Sequence, residues 1–135
     1  MRVLAVDYGE RRTGLAVSDE LGISAHGLDT IEAVDEAEIP SRVAQTAKET
    51  GAKKIVVGLP LNMDGTESEK SKKVREFADI LSREISVPVV FWDERMTSIQ
   101  AQRIMNEMEV KTYKNKNMID RISATLILQE FMKTI

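Results

Sequence analysis

The chain has no cysteine among its 135 residues, a single histidine, a single tryptophan and no excess of positive charge. Without thiols, a disulfide framework and thiolate metal sites are excluded, and one imidazole argues against a zinc site. No apolar run approaches the ~20 residues that span a bilayer, so an integral membrane protein is not expected. Only four apolar residues separate Arg2 from Asp7, which does not resemble a signal peptide, and a cytoplasmic location is the expectation. A formal net charge of −3 gives no global attraction to nucleic acid and argues against a protein that coats DNA or RNA. An enzyme acting on nucleic acid needs only a local basic stripe. Arg11-Arg12 and the run Lys111, Lys114, Lys116 near Arg121 are two such stretches, although solvated loops also collect charge.

What is present is a rhythm of short apolar runs ending in acids. Val3-Leu4-Ala5-Val6 is too short for a helix and runs directly into Asp7-Tyr8-Gly9. Valine-rich runs of this kind suit strands buried on both faces, and ligands of open α/β sheets collect where such strands end. Asp7 is therefore the first candidate for chemistry, with a turn as its ordinary alternative. Residues 14–18 form a second strand across a glycine-flanked loop, and Ile23 to Thr30 a weaker third one.

Beyond these three antiparallel strands the pattern alternates. Pro40 near a first turn and Gly51 past the end bracket a helix, and Lys54 to Leu59 is a buried strand stopped by Pro60. After the Leu61 to Gly65 loop, Thr66 with Glu69 fits a capping box for an amphipathic helix carrying Val74, Phe77, Ala78, Leu81 and Ile85. Val87 to Trp92 is the last strand and leads into Asp93-Glu94-Arg95. Thr97 with Gln100 would cap a helix striped by Ala101, Ile104, Met105 and Met108; the polar stretch Glu109 to Asn117 interrupts it, and a final helix runs from about Met118 to Lys133. This predicts an α/β fold over 1–135 as one domain, a five-stranded mixed sheet with helices on both faces. Right-handed crossovers bring the ends of the first, fourth and fifth strands to one edge.

That edge collects acids. Asp7 and either Asp93 or Glu94 end strands there, the choice being open because successive strand residues face opposite ways. Asp120 begins the last helix, on a face continued by Ser123, Ala124, Ile127 and Phe131. Such a cluster is unstable without positive charge, and its hard oxygen donors suit Mg²⁺ or Mn²⁺. Two ions about 4 Å apart would serve in-line displacement at a phosphodiester. Asp64 is a further candidate, although Asp-Gly is commonly a turn, and Trp92 fits either packing or base stacking.

Taken in order, Val3 to Gly9 with Arg12-Thr13-Gly14, Val57 to Thr66, Asp93-Glu94-Arg95-Met96-Thr97 and Ile119-Asp120 resemble the YqgF family of Holliday-junction-resolvase-like nucleases. The resemblance spans essentially the whole chain and implies a ribonuclease H-like fold. It implies Asp7, Glu94 and Asp120 as catalytic metal ligands, with Arg12, Arg95 and Thr97 lining the cleft and the Asn62 to Thr66 loop beside it; Asn62 and the basic Lys116 join these three as candidate substrate contacts. The implied activity is metal-dependent phosphodiester hydrolysis in maturation of pre-16S ribosomal RNA, or on four-way DNA junctions. A structured RNA or branched DNA is thus the expected partner, with a homodimer required to cut both strands of a junction and a monomer sufficient for RNA. A non-catalytic nucleic-acid-binding or ribosome-assembly module on the same fold is the alternative. Nucleotide hydrolysis is disfavoured, since no GxxxxGK[ST] loop and no second lobe exist. A receiver domain is disfavoured because the middle strand ends in Gly58-Leu59-Pro60.

Overall fold

The computed structural model describes residues 1–135, the side chain of Thr112 excepted. Six strands and four α-helices follow one another as β1 (Val3–Asp7), β2 (Arg12–Ser18), β3 (Ala25–Gly27), β4 (Ile31–Glu32), α1 (Ile39–Thr50), β5 (Lys54–Leu59), α2 (Glu69–Glu84), β6 (Val89–Asp93), α3 (Ile99–Thr112) and α4 (Lys116–Met132). The sheet order is β3-β2-β1-β5-β6. Strands β1, β5 and β6 are parallel, and β2 and β3 continue antiparallel from β1. This is the expected mixed sheet, with one addition. The third strand, read as Ile23 to Thr30, is the shorter β3, and a two-residue β4 just beyond that segment pairs with Arg12 and Thr13, extending β2 two residues upstream of the expected start.

Alternation along the central strands sends their side chains to two cores. Leu4, Val6, Ile55 and Val57 meet α1 and α2 through Ile39, Val43, Val74, Phe77 and Leu81. Val3, Ala5 and Val56 meet α4 through Ala124, Ile127, Leu128 and Phe131. Both faces of β1 and β5 are dry, which is why these strands read as continuous apolar runs.

Two helix starts fall later than the sequence suggests, because a loop hydrogen bond and a 3₁₀ turn occupy the expected capping residues. The Thr66 hydroxyl donates to Asp64 at 2.6 Å and accepts from the Asn62 amide, so it is spent inside the loop. Ser68 caps α2 instead, in a reciprocal box with Ser71, and donates to the Pro60 carbonyl at 2.6 Å. The Thr97 amide closes a short 3₁₀ turn onto the Glu94 carbonyl, and Ser98 caps α3, its hydroxyl also bonded to the buried Glu130 at 2.9 Å. The polar stretch expected to interrupt the helix is in fact largely helical. Helix α3 continues through Thr112, and Asn115 caps α4 one residue before Lys116.

Candidate active site

Three residues form a row across the carboxyl end of the sheet on its α4 side. Asp7 ends β1, Gly14 pairs with it from β2, and the β1–β5 register carries Gly58 to its other flank. A glycine inside a strand weakens it and commonly marks a close approach by another group. Both glycines do so here. A Cβ on Gly14 would lie 2.1 Å from the carbonyl oxygen of Asp120, so the missing side chain lets the start of α4 settle against β2. A Cβ on Gly58 would lie 3.2 Å from Glu94 Oε1 and 2.6 Å from Ile127 Cδ1. The Glu94 side chain therefore crosses β5 above Gly58 and points toward Asp7.

That geometry separates the two acids at the end of β6. Glu94 follows Val90 and Trp92 on the α4 side, whereas Asp93 follows Val89 and Phe91 on the other side. Asp93 accepts hydrogen bonds from the Arg95 backbone amide at 3.0 Å and from its guanidinium at 2.7 Å. Those contacts hold the Asp93 carboxyl below the usual carboxylate range.

Glu94 has the opposite character. Burial, and then the charge of Asp7, push its carboxyl up to about 7 against the pull of Lys70. Asp7 is pushed up to about 6, first by burial; Lys70 opposes this, the charge of Asp120 adds to it, and the Ser123 hydroxyl lowers it slightly. Asp120 is raised by burial and restrained by Arg12, whose Nε donates to its Oδ2 at 3.1 Å, with a further contribution from Lys70. The three acids thus sense one another or a shared cation, and the half-buried Asp7 and Glu94 end in no ion pair among the described residues.

The other expected contacts fall into two groups. Arg12 reaches the site through its bond to Asp120, and Lys116 is exposed one turn before Asp120 on α4. Thr97 lines a cavity of about 210 Å³ with Glu94, Gln102, Met105 and Ser123. Asn62 and Arg95 instead bond inward. The Asn62 amide donates to Thr66 Oγ1 and the Glu67 carbonyl, and Arg95 spans Asp93 and the Met63 carbonyl, so together they brace the 62–67 loop against the end of β6. Asp64 caps the turn through Thr66 and stays within that loop. Sequence reasoning assigns no role in the site to Lys70, Ser123 or the two glycines. The mid-strand glycines carry a readable signal; the lysine does not.

Among the described residues, no group of three or more acid, histidine or cysteine side chains is drawn tightly enough to enclose a metal ion, and Asp120 is bonded to Arg12. Asp7 and Glu94 nevertheless fit a hard divalent cation. Both are oxygen donors whose ionised form is disfavoured where they stand, and Mg²⁺ commonly takes only one or two carboxylates, the remaining sites going to water and phosphate. No helix is long and apolar enough to cross a membrane among the described residues.

The sequence model of the family described as RuvX: Holliday junction resolvase matches residues 1–134. A protein of Koribacter versatilis (strain Ellin345) named "Putative pre-16S rRNA nuclease" is 44% identical over 132 residues, covering 98% of this chain and 86% of that protein. A protein of Acetivibrio thermocellus with the same name is 43% identical over 134 residues, covering 98% and 95%. Among solved structures, T. thermophilus RuvC in complex with Holliday junction substrate superposes with a TM-score of 0.64 at 15% identity, covering 99% of this chain and 96% of that one. This likeness establishes the ribonuclease H-like fold expected from the strand order. With a match over residues 1–134 and relatives above 40% identity, the chain belongs to the RuvX family of Holliday junction resolvases, which is the YqgF family its motifs resemble.

Proposed function

We propose that residues 1–135 are one nuclease domain that hydrolyses phosphodiester bonds in nucleic acid with a divalent cation, Mg²⁺ or Mn²⁺, held by Asp7 and Glu94. The observation that carries this reading is the crossing of Glu94 over Gly58 toward Asp7, which leaves two facing carboxylates short of positive charge. A bound divalent ion would supply an activated water and stabilise the departing oxygen. The chain's own groups do the rest. Asp7 and Glu94 orient the ion from rigid strand ends, and Arg12 and Lys116 approach the phosphate backbone from the β1–β2 loop and the start of α4. Asn62 and Arg95 position the loop beside the cleft rather than reaching into it. Two ions would additionally need Asp120 released from Arg12, a change the approach of a phosphate to Arg12 would favour.

Ribosomal RNA precursor is the substrate the relatives at 43–44% identity support, through their names. Four-way DNA is supported by the family description. A cytoplasmic location goes with the first. A non-catalytic binding module on this fold is favoured by one observation, the Arg12–Asp120 ion pair that closes off the third acid. Purified protein incubated with Mn²⁺ or Mg²⁺ and labelled ribosomal RNA precursor, four-way junction and duplex DNA decides between them. Metal-dependent cleavage that Asp7→Asn abolishes, with folding and RNA binding retained, is expected; equal cleavage by Asp7→Asn would sink the catalytic reading.

A further inference from the structure

One cation acts on all three acids, and it is bonded to none of them. The charge of Lys70, on the first turn of α2, lowers the carboxyls of Asp7, Glu94 and Asp120 alike. Of the cations around it, Arg12 is bonded to Asp120, Arg95 to Asp93, Arg75 to Glu67 and Lys73 to Glu10. Lys70 has neither a hydrogen bond nor an ion pair among the described residues. Its backbone is nonetheless fixed, because the Ser68–Ser71 box and the Ser68 bond to Pro60 lock the turn that bears it. It also lines an open cavity of about 410 Å³ with Tyr8, Gly9, Arg11 and Lys73, beginning at the residue after Asp7.

From this placement we infer that Lys70 binds the phosphate that enters between Asp7 and Glu94, holding it for attack. The inference rests on the nuclease reading and adds a substrate contact to it. Asp7 and Glu94 repel an approaching phosphodiester wherever a divalent ion does not screen them. An uncommitted ammonium at the rim supplies a compact positive charge that can turn to a non-bridging oxygen without breaking an existing bond. The adjoining cavity, lined also by the cationic Arg11 and by the acids Glu10 and Glu69, opens between the β1–β2 loop and α2, where the continuing strand can pass.

The test separates binding from cleavage. Asp7→Asn protein and Asp7→Asn/Lys70→Gln protein are titrated with fluorescein-labelled ribosomal RNA precursor and four-way junction over a range of salt concentrations. Loss of one phosphate contact lowers the slope of log affinity against log salt by about one. We expect that drop, several-fold weaker binding at moderate salt, recovery of the slope in Lys70→Arg, and no change in Lys72→Gln on the same helix. Unchanged affinity and slope in Lys70→Gln would overturn the inference, as would weaker binding with an unchanged slope. Cleavage by the parent protein is scored separately, so an inactive parent counts against the nuclease reading while the salt slopes still judge Lys70.

Discussion

The two sides of the sheet's carboxyl edge treat charge in opposite ways. On the side of α1 and α2, acids find cations: Asp93 holds Arg95, Glu67 holds Arg75 and Glu10 holds Lys73. On the side of α4, Asp7 and Glu94 face each other, and of the three clustered acids Asp120 alone has an ion-pair partner among the described residues. Asp93 and Glu94 are neighbours in sequence, yet one carboxyl is pulled below its ordinary range and the other pushed up to about 7. The end of β6 turns the two side chains to opposite faces, one toward Arg95 and the other into the buried site beside Asp7. The contrast teaches that paired acids here fasten loops to the sheet, while the unpaired ones keep a demand for positive charge that an incoming ligand can meet.

The sharpest way to break this comparison is to remove the two neighbours in turn. Glu94→Gln should lower cleavage by about 10³-fold, since a lost metal ligand forfeits several kcal/mol of charge stabilisation in the transition state. Asp93→Asn should leave cleavage within about tenfold and reduce stability by about 1 kcal/mol, because it weakens a turn cap and a partly exposed ion pair. Single-turnover rates beside urea melts measure both. If Asp93→Asn were the more damaging to cleavage, the assignment of the two sides would be reversed.

A second test uses pH. Folding raises the carboxyls of Asp7 and Glu94 above their unfolded values, so the folded protein binds more protons than the unfolded chain near pH 5. Stability without metal should therefore fall as pH rises from about 4 toward 7. The rise of Asp7 from 3.8 to about 6 corresponds to about 3 kcal/mol. Added Mn²⁺ should restore part of the loss at pH 8, and Asp7→Asn should flatten the dependence. The lowered carboxyl of Asp93 acts with the opposite sign at lower pH, and the raised carboxyl of Asp120 acts with the same sign as the facing pair, so the flattening by Asp7→Asn in urea unfolding between pH 5 and pH 8 gives the share of Asp7. Greater metal-free stability at pH 8 than at pH 5 would contradict the picture of an uncompensated pair.

The sheet is well legible in the sequence, because β1 and β5 are buried on both faces and apolar runs of that length fit little but a central strand. Pro40 and Gly51 likewise bound α1 as expected, since proline and glycine act through local backbone geometry. The caps of α2 and α3 lie one or two residues from their expected places, for the Thr66 hydroxyl bonds to Asp64 within its loop and the Thr97 amide closes a 3₁₀ turn onto Glu94. In the site, topology alone brings three acids to one edge. Which of Asp93 and Glu94 faces Asp7 depends on where β6 ends, a matter of one residue. Lys70 is out of reach, because nothing local distinguishes it from Lys72 and Lys73 on the same helix.

Gly58 is where the packing of the sheet and the chemistry of its edge meet, and its substitution makes the smallest but most specific prediction. The backbone there would accept alanine without strain, since its φ is not positive, so any effect comes from the added methyl group. That methyl would meet Ile127 Cδ1 at 2.6 Å, forcing a buried side chain aside, and Glu94 Oε1 at 3.2 Å. Overpacking of this kind costs about 1–3 kcal/mol. The stability loss and the displacement of Glu94 can be pulled apart, because Ile127→Val relieves the clash at Cδ1 while the added methyl stays against Glu94 Oε1. Gly58→Ala/Ile127→Val should therefore be more stable than the sum of the single changes predicts, while its cleavage stays as low as that of Gly58→Ala alone. Were cleavage to return together with stability, the glycine would be serving only the packing of α4. Were it to stay lost, the open slot in β5 would be what lets an acid from the next strand reach Asp7.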